Sequence, residues 1–348
     1  MTASRTAIGT PAGYTAPASP AAGTRASASR RSRRAGAAVL GVAALAAAGV
    51  LAGGGAGSRA DATVLTNCAA NPVSCGYPGA TNTGVPSGTT LKSVPSQVSS
   101  GPGWSYNATT NAVVVTVNGT VLSGLSISGN LTINASNVTV NDVQVVTGGS
   151  FAISLTHTKN VTIENSAISG QNATTGRVNV AIDDVYGDST GMTIKNNNIS
   201  LFRTAMQIST GLVQGNYIHD PGYIAGDHTN GIVTNGGTQS MTINDNTVFN
   251  SQSQTDAITL DASTGGVAVA NKTIENNFLA GGGYSIYGGD GPSTNPTSNI
   301  VIKNNRFGQQ YFAKGGQFGA VAYYDHTGSG NSWTSNIWDT TGQAIPSP

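Results

Sequence analysis

The sequence predicts an all-β fold, a single-stranded right-handed parallel β-helix in which the chain winds as a solenoid of roughly nine coils. Three observations predict it: a seven-residue segment that recurs along the chain, a second apolar pattern between its copies, and abundant Gly and Asn with only 9% charged residues. No amphipathic helix interrupts the body of the chain. Because one copy cannot bury its apolar side chains alone, stacked copies are expected to share a core.

The seven-residue segment has apolar second and seventh positions, and we predict that these form two inward columns. Two weaker copies start their apolar column at Leu122 and Val140, and the clear copies are 162–168, 193–199, 212–218, 242–248, 273–279, 301–307 and 332–338. The first column is Ile163, Ile194, Val213, Ile243, Ile274, Ile302 and Trp333. The second column is Ile168, Ile199, Ile218, Val248, Leu279, Phe307 and Trp338.

The fifth position of the segment is asparagine in six consecutive copies: Asn197, Asn216, Asn246, Asn277, Asn305 and Asn336. Asparagine tolerates the left-handed backbone that a sharp corner needs. Its amide can also bond the same amide one coil away, at a spacing of roughly 4.8 Å. We therefore predict a structural ladder of asparagines that has no catalytic role.

The second apolar pattern lies between the copies and has a period of two, which is typical of a strand with one buried face. Its members are 152–155, 181–183, 205–208, 231–233, 257–260, 285–287 and 320–323. These segments predict a second column of strands opposite the first.

Residues 1–60 have the order of an export signal, a basic region followed by an apolar one. Residues 1–34 contain six arginines and no acid, and an Ala-, Gly-, Val- and Leu-rich stretch occupies 35–57. That stretch is also long enough to span a bilayer if it is not cleaved. We expect a secreted, extracellular protein, and the alternative is a cell-surface protein anchored by this segment.

Residues 61–110 form a lead-in rich in Pro, Gly, Ser and Thr, residues 111–340 form the predicted β-helix, and residues 341–348 form a C-terminal tail. Cys68 and Cys75 are the only cysteines. In an exported protein so close a pair is expected to form a disulfide, and the alternative is two free thiols.

The charge of the exported part differs from that of the whole chain. The chain has sixteen Lys and Arg against fifteen Asp and Glu, but seven of the basic residues precede Asp61 and no acid does. Nine basic and fifteen acidic residues therefore remain after that point, a formal charge of −6. A nucleic-acid partner is not expected, because it would need a basic stripe. An acidic polysaccharide would need a local basic pocket or a bridging cation.

The stacked V/I-T-I-x-N-N-x-I motif, together with the second strand pattern, resembles the pectin-lyase-like right-handed β-helix superfamily over about 113–338. The resemblance implies the fold but no single activity, since members include polysaccharide lyases, glycoside hydrolases, epimerases and non-catalytic surface proteins. Of four motifs typical of polygalacturonase-like hydrolases, only the Asp-Asp is present, at Asp183-Asp184. Asp325-His326 resembles the Asp-His of pectate-lyase-like enzymes, without their tryptophan-rich context.

Four charged residues of the repeat have a structural explanation. Glu164 and Lys195 occupy the same outward position in successive copies, and so do Glu275 and Lys303. Opposite charges across a ladder stabilise it by roughly 0.2–1 kcal/mol. We predict surface ion pairs at both places.

The loop 219–231 has a different composition from the rest of the chain. It holds two of the four histidines, two of the acids and a tyrosine, on a scaffold that is otherwise poor in charge. Such a concentration on a braced loop favours function. Alignment of the strands places Arg203 level with Thr229 and Asp256 level with Asn230. We expect these side chains to converge on one face, and the alternative is a loop fixed by its own hydrogen bonds.

The residue types on this face suit the cleavage of a polysaccharide. His228 is the predicted base, with His219 in reserve, and Asp227 or Asp256 would orient the base. Arg203 would hold a substrate carboxylate in a bidentate grip. The residues predicted to bind substrate are Asn230, Tyr223, Tyr284 and Tyr287, and the alternative for the tyrosines is that they fill the surface between coils.

No motif requires a cofactor, and a calcium ion is the candidate, for which Asp227, Asp256 and Asp261 would supply oxygen ligands. We predict a secreted carbohydrate-active protein that cleaves a polysaccharide by β-elimination, with a glycoside hydrolase as runner-up. The alternative is a non-enzymatic cell-surface or glycan-binding protein. The expected partner is a polysaccharide. The protein is expected to be a monomer, and a membrane is expected only if the N-terminal segment is retained.

Overall fold

The computed structural model describes residues 68–261, 268–289 and 297–348, and the predicted export segment lies outside them. Within these ranges the chain is all-β, with a single 3₁₀-helix at Pro72–Cys75. The first fourteen strands are β1 (Lys92–Val94), β2 (Ser100–Gly101), β3 (Trp104–Asn107), β4 (Ala112–Val115), β5 (Val121–Ser128), β6 (Asn130–Ile133), β7 (Thr139–Val146), β8 (Phe151–Leu155), β9 (Thr162–Glu164), β10 (Ala167–Ser169), β11 (Val178–Asp184), β12 (Thr193–Lys195), β13 (Asn198–Ser200) and β14 (Phe202–Gln207). The others are β15 (Gly211–Gln214), β16 (Tyr217–Ile218), β17 (Asn230–Thr234), β18 (Met241–Asn244), β19 (Thr247–Asn250), β20 (Asp256–Leu260), β21 (Ala270–Glu275), β22 (Phe278–Gly281), β23 (Tyr284–Tyr287), β24 (Ser298–Lys303), β25 (Arg306–Phe307), β26 (Gly319–Ala322), β27 (Ser332–Thr334) and β28 (Ile337–Trp338).

The strands form two long sheets, which we call sheet A (17 strands) and sheet B (11 strands). Sheet B runs from β4 through β6, β8, β11, β14, β17, β20 and β23 to β26, all parallel, with β2 and β3 antiparallel at its start. Sheet A is parallel throughout and consists of two rows of short strands. The two rows meet at the long strands β5 and β7, and β7 pairs with both β9 and β10. From β8 to β26 each strand of sheet B is followed by two strands of sheet A. The predicted all-β class is confirmed, and the topology is compatible with a solenoid.

The predicted inward columns are buried in register. Ile163 pairs with Ile194, and Ile194 with Val213, in sheet A, and these side chains are at most 1% exposed. In sheet B, Met206 pairs with Ile232, and both are fully buried in the same apolar core. The side chains of both sheets belong to one continuous core. Burying each such side chain contributes roughly 1.5–3 kcal/mol.

The asparagine ladder is present, and every member is at most 1% exposed. Each Nδ2 donates to the Oδ1 of the next ladder asparagine at 2.9–3.0 Å, from Asn197 through to Asn336. The prediction that these residues are left-handed is wrong by one position. The preceding residue has the positive φ: 55° at Asn196, 67° at Gly215 and 54° at Asp245. The corner therefore falls one residue before the ladder asparagine, whose side-chain amide is buried.

The two predicted surface ion pairs are confirmed. Lys195 Nζ lies 2.8 Å from Glu164 Oε2, and Lys303 Nζ lies 3.0 Å from Glu275 Oε2. All four side chains are partly exposed, so each pair contributes little to stability.

The lead-in crosses the outer side of sheet A. The predicted Cys68–Cys75 disulfide is confirmed, and it packs beside the buried ring of Phe278. Further along, the Gly84 amide donates to the Asn196 carbonyl at 2.8 Å, and β1 then pairs with β5. The lead-in thus covers apolar side chains that the sheet would otherwise expose to water.

The C-terminal residues close against the last strands of sheet A. Ile337 forms a bridge with Ala344, and the Trp333 Nε1 donates to the Ile345 carbonyl at 2.8 Å. No helix in the described ranges is long and apolar enough to cross a membrane.

Candidate functional site

The predicted register of the candidate face is confirmed. Thr204 of β14 pairs with Asn230 of β17, so Arg203 is level with Thr229. Ile232 pairs with Ile258, which places Asn230 level with Asp256. Tyr284 follows Asp256 in the same row. Asn230, Asp256 and Tyr284 are therefore level on three neighbouring strands, at a strand spacing of roughly 4.8 Å, and Arg203 and Thr229 are level one position earlier.

Asp227 is held by an arginine that the sequence did not single out. Arg177 Nε and Nη2 each lie 2.6 Å from an Asp227 oxygen, and the Ile224 amide donates to Asp227 Oδ2 at 2.8 Å. Burial alone would raise the pKa of Asp227, but these hydrogen bonds and the nearby Arg177 and Arg203 charges hold it below its ordinary value. Asp227 is therefore an anchoring carboxylate, ionised at neutral pH.

Arg203 lies beside this pair. Burial, and then the charge of Arg177, lower the pKa of Arg203, while Asp227 opposes them. Its buried Nε has no hydrogen-bond partner among the described residues. Two guanidinium groups and one carboxylate therefore give this cluster a net positive charge, and Arg203 Nε is an unused donor.

His228 lies between this cluster and β17 and is half-buried. Its carbonyl accepts a hydrogen bond from Asn230 Nδ2 at 3.2 Å. The neighbouring Thr229 carbonyl accepts one from Asn250 Nδ2 at 2.6 Å. The loop is thus braced at its end, while Tyr223 at its tip is 38% exposed.

Asp256 is enclosed in the face. Its side chain is 0% exposed, Oδ2 accepts a hydrogen bond from the Thr259 hydroxyl, and Oδ1 has no partner among the described residues. Burial raises the pKa of Asp256 well above its ordinary value. The carboxyl is therefore poor at accepting a substrate or a cation directly.

The predicted calcium ligands are not assembled. The described part of the chain holds no group of three or more His, Cys, Asp or Glu side chains placed to bind a metal. Asp227 is bonded to Arg177, Asp256 is enclosed, and Asp261 is partly exposed. The sequence alignment gave the register of Asp256 correctly, but it could not show which way each carboxylate turns.

His219, the reserve base, follows β16 in sheet A. Its Nδ1 lies 2.7 Å from Asp220 Oδ2, its Nε2 lies 2.9 Å from Asn198 Oδ1, and its ring stacks on Tyr217 at 3.9 Å. With both nitrogens engaged, His219 has the contacts of a loop anchor.

Four aromatic rings lie on or directly beside β23 and β26, the last strands of sheet B, and we call them the aromatic platform: Tyr284, Tyr287, Phe318 and Tyr323. The Tyr284 ring lies 5.6 Å from that of Tyr287 and 5.9 Å from that of Phe318, and the Tyr287 ring lies 5.2 Å from that of Tyr323. Phe318 is 61% exposed and Tyr323 is 53% exposed. Exposed rings placed side by side make this surface a candidate interaction site.

Asp183 and Asp184 form a second group of buried acids, on β11. Asp183 is 4% exposed, and its Oδ1 has no partner among the described residues. Burial and the neighbouring Asp184 raise the pKa of Asp183 to about 6. Asp184 is instead bonded by the Ser189 amide at 3.1 Å.

Comparison of the chain with protein-family models, with curated proteins and with solved structures gives no match.

Proposed function

We propose that this protein is an exported carbohydrate-active protein that binds a polysaccharide along the outward face of sheet B. One observation carries the proposal: Tyr287 of the aromatic platform is level with Thr259 on the neighbouring parallel strand, and the Thr259 hydroxyl lies 3.4 Å from Asn230 Oδ1. Rings bind the apolar faces of sugars, and amide and hydroxyl groups bind their hydroxyls. A straight row of strands suits an extended polymer better than a compact ligand.

The proposed reaction is β-elimination at a uronate unit. Arg203 holds the carboxylate, and His228 removes the proton from the adjacent carbon. A carbon–carbon double bond then forms as the glycosidic carbon–oxygen bond breaks, and the departing oxygen takes a proton from water. The net positive charge of the Arg177–Asp227–Arg203 cluster supports this assignment, and a glycoside hydrolase is the runner-up.

A second candidate is a non-enzymatic glycan-binding protein. Both Asp227 oxygens are engaged by Arg177, and Asp256 is enclosed. This arrangement favours a binding face without turnover.

A polysaccharide panel separates these candidates. For a lyase we expect products that absorb in the ultraviolet, because the new double bond is conjugated with the carboxylate. New reducing ends without that absorbance indicate a hydrolase, and retention without any product indicates a binding protein. The proposal is wrong if no polysaccharide is bound or cleaved.

The variants His228→Ala and Arg203→Ala test the catalytic assignment. Loss of turnover by about a hundredfold or more is expected for removal of a general base. The matched control is His157→Ala, which removes an exposed histidine that pairs with Asp188 at 2.6 Å. If both site variants cleave like the wild type while Asp183→Asn is inactive, the reaction takes place at β11 instead.

The same proposal includes how the two sheets are wound and where the protein acts. The two sheets would be wound as one right-handed parallel β-helix of roughly nine coils, since parallel crossovers in one sheet are almost always right-handed. The protein would act outside the cell as a monomer, released from residues 1–60 or anchored by them. The mass of the exported protein and its sedimentation would test both points.

A further inference from the structure

The aromatic platform is a cluster of tilted rings, with interplanar angles of 47° between Tyr284 and Tyr287, 43° between Tyr284 and Phe318, and 66° between Tyr287 and Tyr323. Gly319 pairs with Tyr284 across the last two strands of sheet B. A Cβ on Gly319 would lie only 3.1 Å from Tyr284 Cε1 and 3.3 Å from its Cδ1. Because Gly319 has no side chain, the Tyr284 ring can lie over the neighbouring strand and extend the surface toward Phe318.

Tyr323 contributes its ring at a conformational cost. Its φ is 53°, whereas most other left-handed positions in the described chain are Gly, Asn or Asp. A left-handed backbone costs an ordinary residue roughly 1–2 kcal/mol. Burial of the Tyr323 ring does not offset that cost, since the ring is 53% exposed. Strain that core packing does not explain points to a role at the surface.

The charges beside the platform are negative. Asp261 follows directly after β20, the strand that pairs with β23 and its Tyr284. Asp325 comes two residues after Tyr323, and hydrogen bonds from the Thr327 hydroxyl and amide hold the pKa of Asp325 below its ordinary value.

The cations of this region lie elsewhere. Lys314 lines a separate cavity with Trp338 and Ile345. Arg203 precedes Thr204, which is three strands away from Tyr284 along the row, or roughly 14 Å at the usual strand spacing. A carboxylate placed on the platform would therefore face acids and the negative faces of aromatic rings.

We infer that the aromatic platform is a subsite for uncharged sugar units, so that the bound polymer carries neutral residues there rather than uronates. The inference rests on the proposed function and specifies its substrate. If Arg203 holds an acidic unit, the polymer combines acidic and neutral sugars about 14 Å apart on this face. Otherwise the polymer is neutral throughout.

Calorimetric titration with purified oligosaccharides tests the inference. The probes are neutral oligomers of galactose, arabinose and xylose, and oligogalacturonate as the acidic probe. The variants are Tyr287→Ala/Tyr323→Ala and Arg203→Ala. The matched control is Tyr186→Ala, since Tyr186 is 61% exposed and stacks on His157 at 4.3 Å, beyond the end of β11.

We expect at least one neutral oligomer to bind, with an affinity that salt changes little. The double tyrosine variant should weaken that binding about tenfold or more, whereas Tyr186→Ala should leave it unchanged. Tyr323→Gly should weaken it too while raising the melting temperature, because it removes the ring and the strain together.

Two results with the double tyrosine variant would overturn the inference alone: oligogalacturonate binding that it weakens as much as neutral binding, or neutral binding that it leaves intact. Binding of oligogalacturonate through Arg203 with no neutral ligand would also overturn it, while the proposed function would stand. Absence of binding to every probe and to the polysaccharide panel would refute the proposed function as well.

Discussion

The substitution Asn246→Ala tests what holds the stacked strands together. The Asn246 side chain is 0% exposed and makes five hydrogen bonds. It donates to Val213, Asn244 and Asn277 at 3.0 Å and accepts from the amide and the side chain of Asn216 at 3.0 and 2.9 Å. Alanine would leave the buried Asn216 amide without its acceptor and would remove a donor from the Val213 carbonyl.

Each buried group left unpaired costs roughly 1–3 kcal/mol, so we expect Asn246→Ala to lower the free energy of unfolding by about 3–4 kcal/mol. The assay is chemical denaturation followed by circular dichroism. The control is Asn244→Ala, two residues away, because this half-buried outward side chain accepts one hydrogen bond, from Asn276 at 2.8 Å. The control should change stability by about 0.5 kcal/mol or less. Equal effects of the two variants would refute the structural role of the ladder.

Three further predictions concern groups that the structure brings together. Because the pKa of Asp183 is raised to about 6, the folded state keeps a proton that the unfolded state releases, so the wild type should lose stability as pH rises from about 4 to about 6. Thermal melts of Asp183→Asn should therefore show a gain of up to about 3 kcal/mol at pH 7 and none at pH 3, and the same gain at both would contradict it. Arg177→Ala should lower stability by about 3–5 kcal/mol, and adding Asp227→Ala should restore part of the loss, because the unpaired carboxylate is then gone. Replacing Cys68 and Cys75 by serine should cost about 2–3 kcal/mol in denaturant, and a reductant that lowers the stability of the wild type but not of the variant would confirm the cause.

The repeat made the core predictable, and it also explains the one error there. Inward columns recur at fixed positions, so Ile163, Ile194 and Val213 could be assigned by alignment alone. The left-handed position was misplaced by one because Asn stands at both positions in Asn196-Asn197. Gly215 and Asp245 mark the correct position, since Gly and Asp favour positive φ more than the apolar alternatives do.

The candidate site was predictable only in its register. Strand alignment placed Asn230 beside Asp256, because register follows from the apolar pattern. It could not predict the Arg177–Asp227 pair, which joins two loops 50 residues apart in the sequence. Loops carry no period, and their contacts depend on how each one folds over the sheet. Phe318 was missed for the same reason, since it lies in a loop before β26.

The central claim is that a polysaccharide binds along the outward face of sheet B, and hydrogen–deuterium exchange with a bound polysaccharide tests it most directly. We predict slower exchange in peptides that cover β17, β20, β23 and β26, and in the loop that carries His228. Peptides from the face of sheet A that carries the Glu164–Lys195 pair should be unchanged. Protection confined to sheet A would contradict the claim.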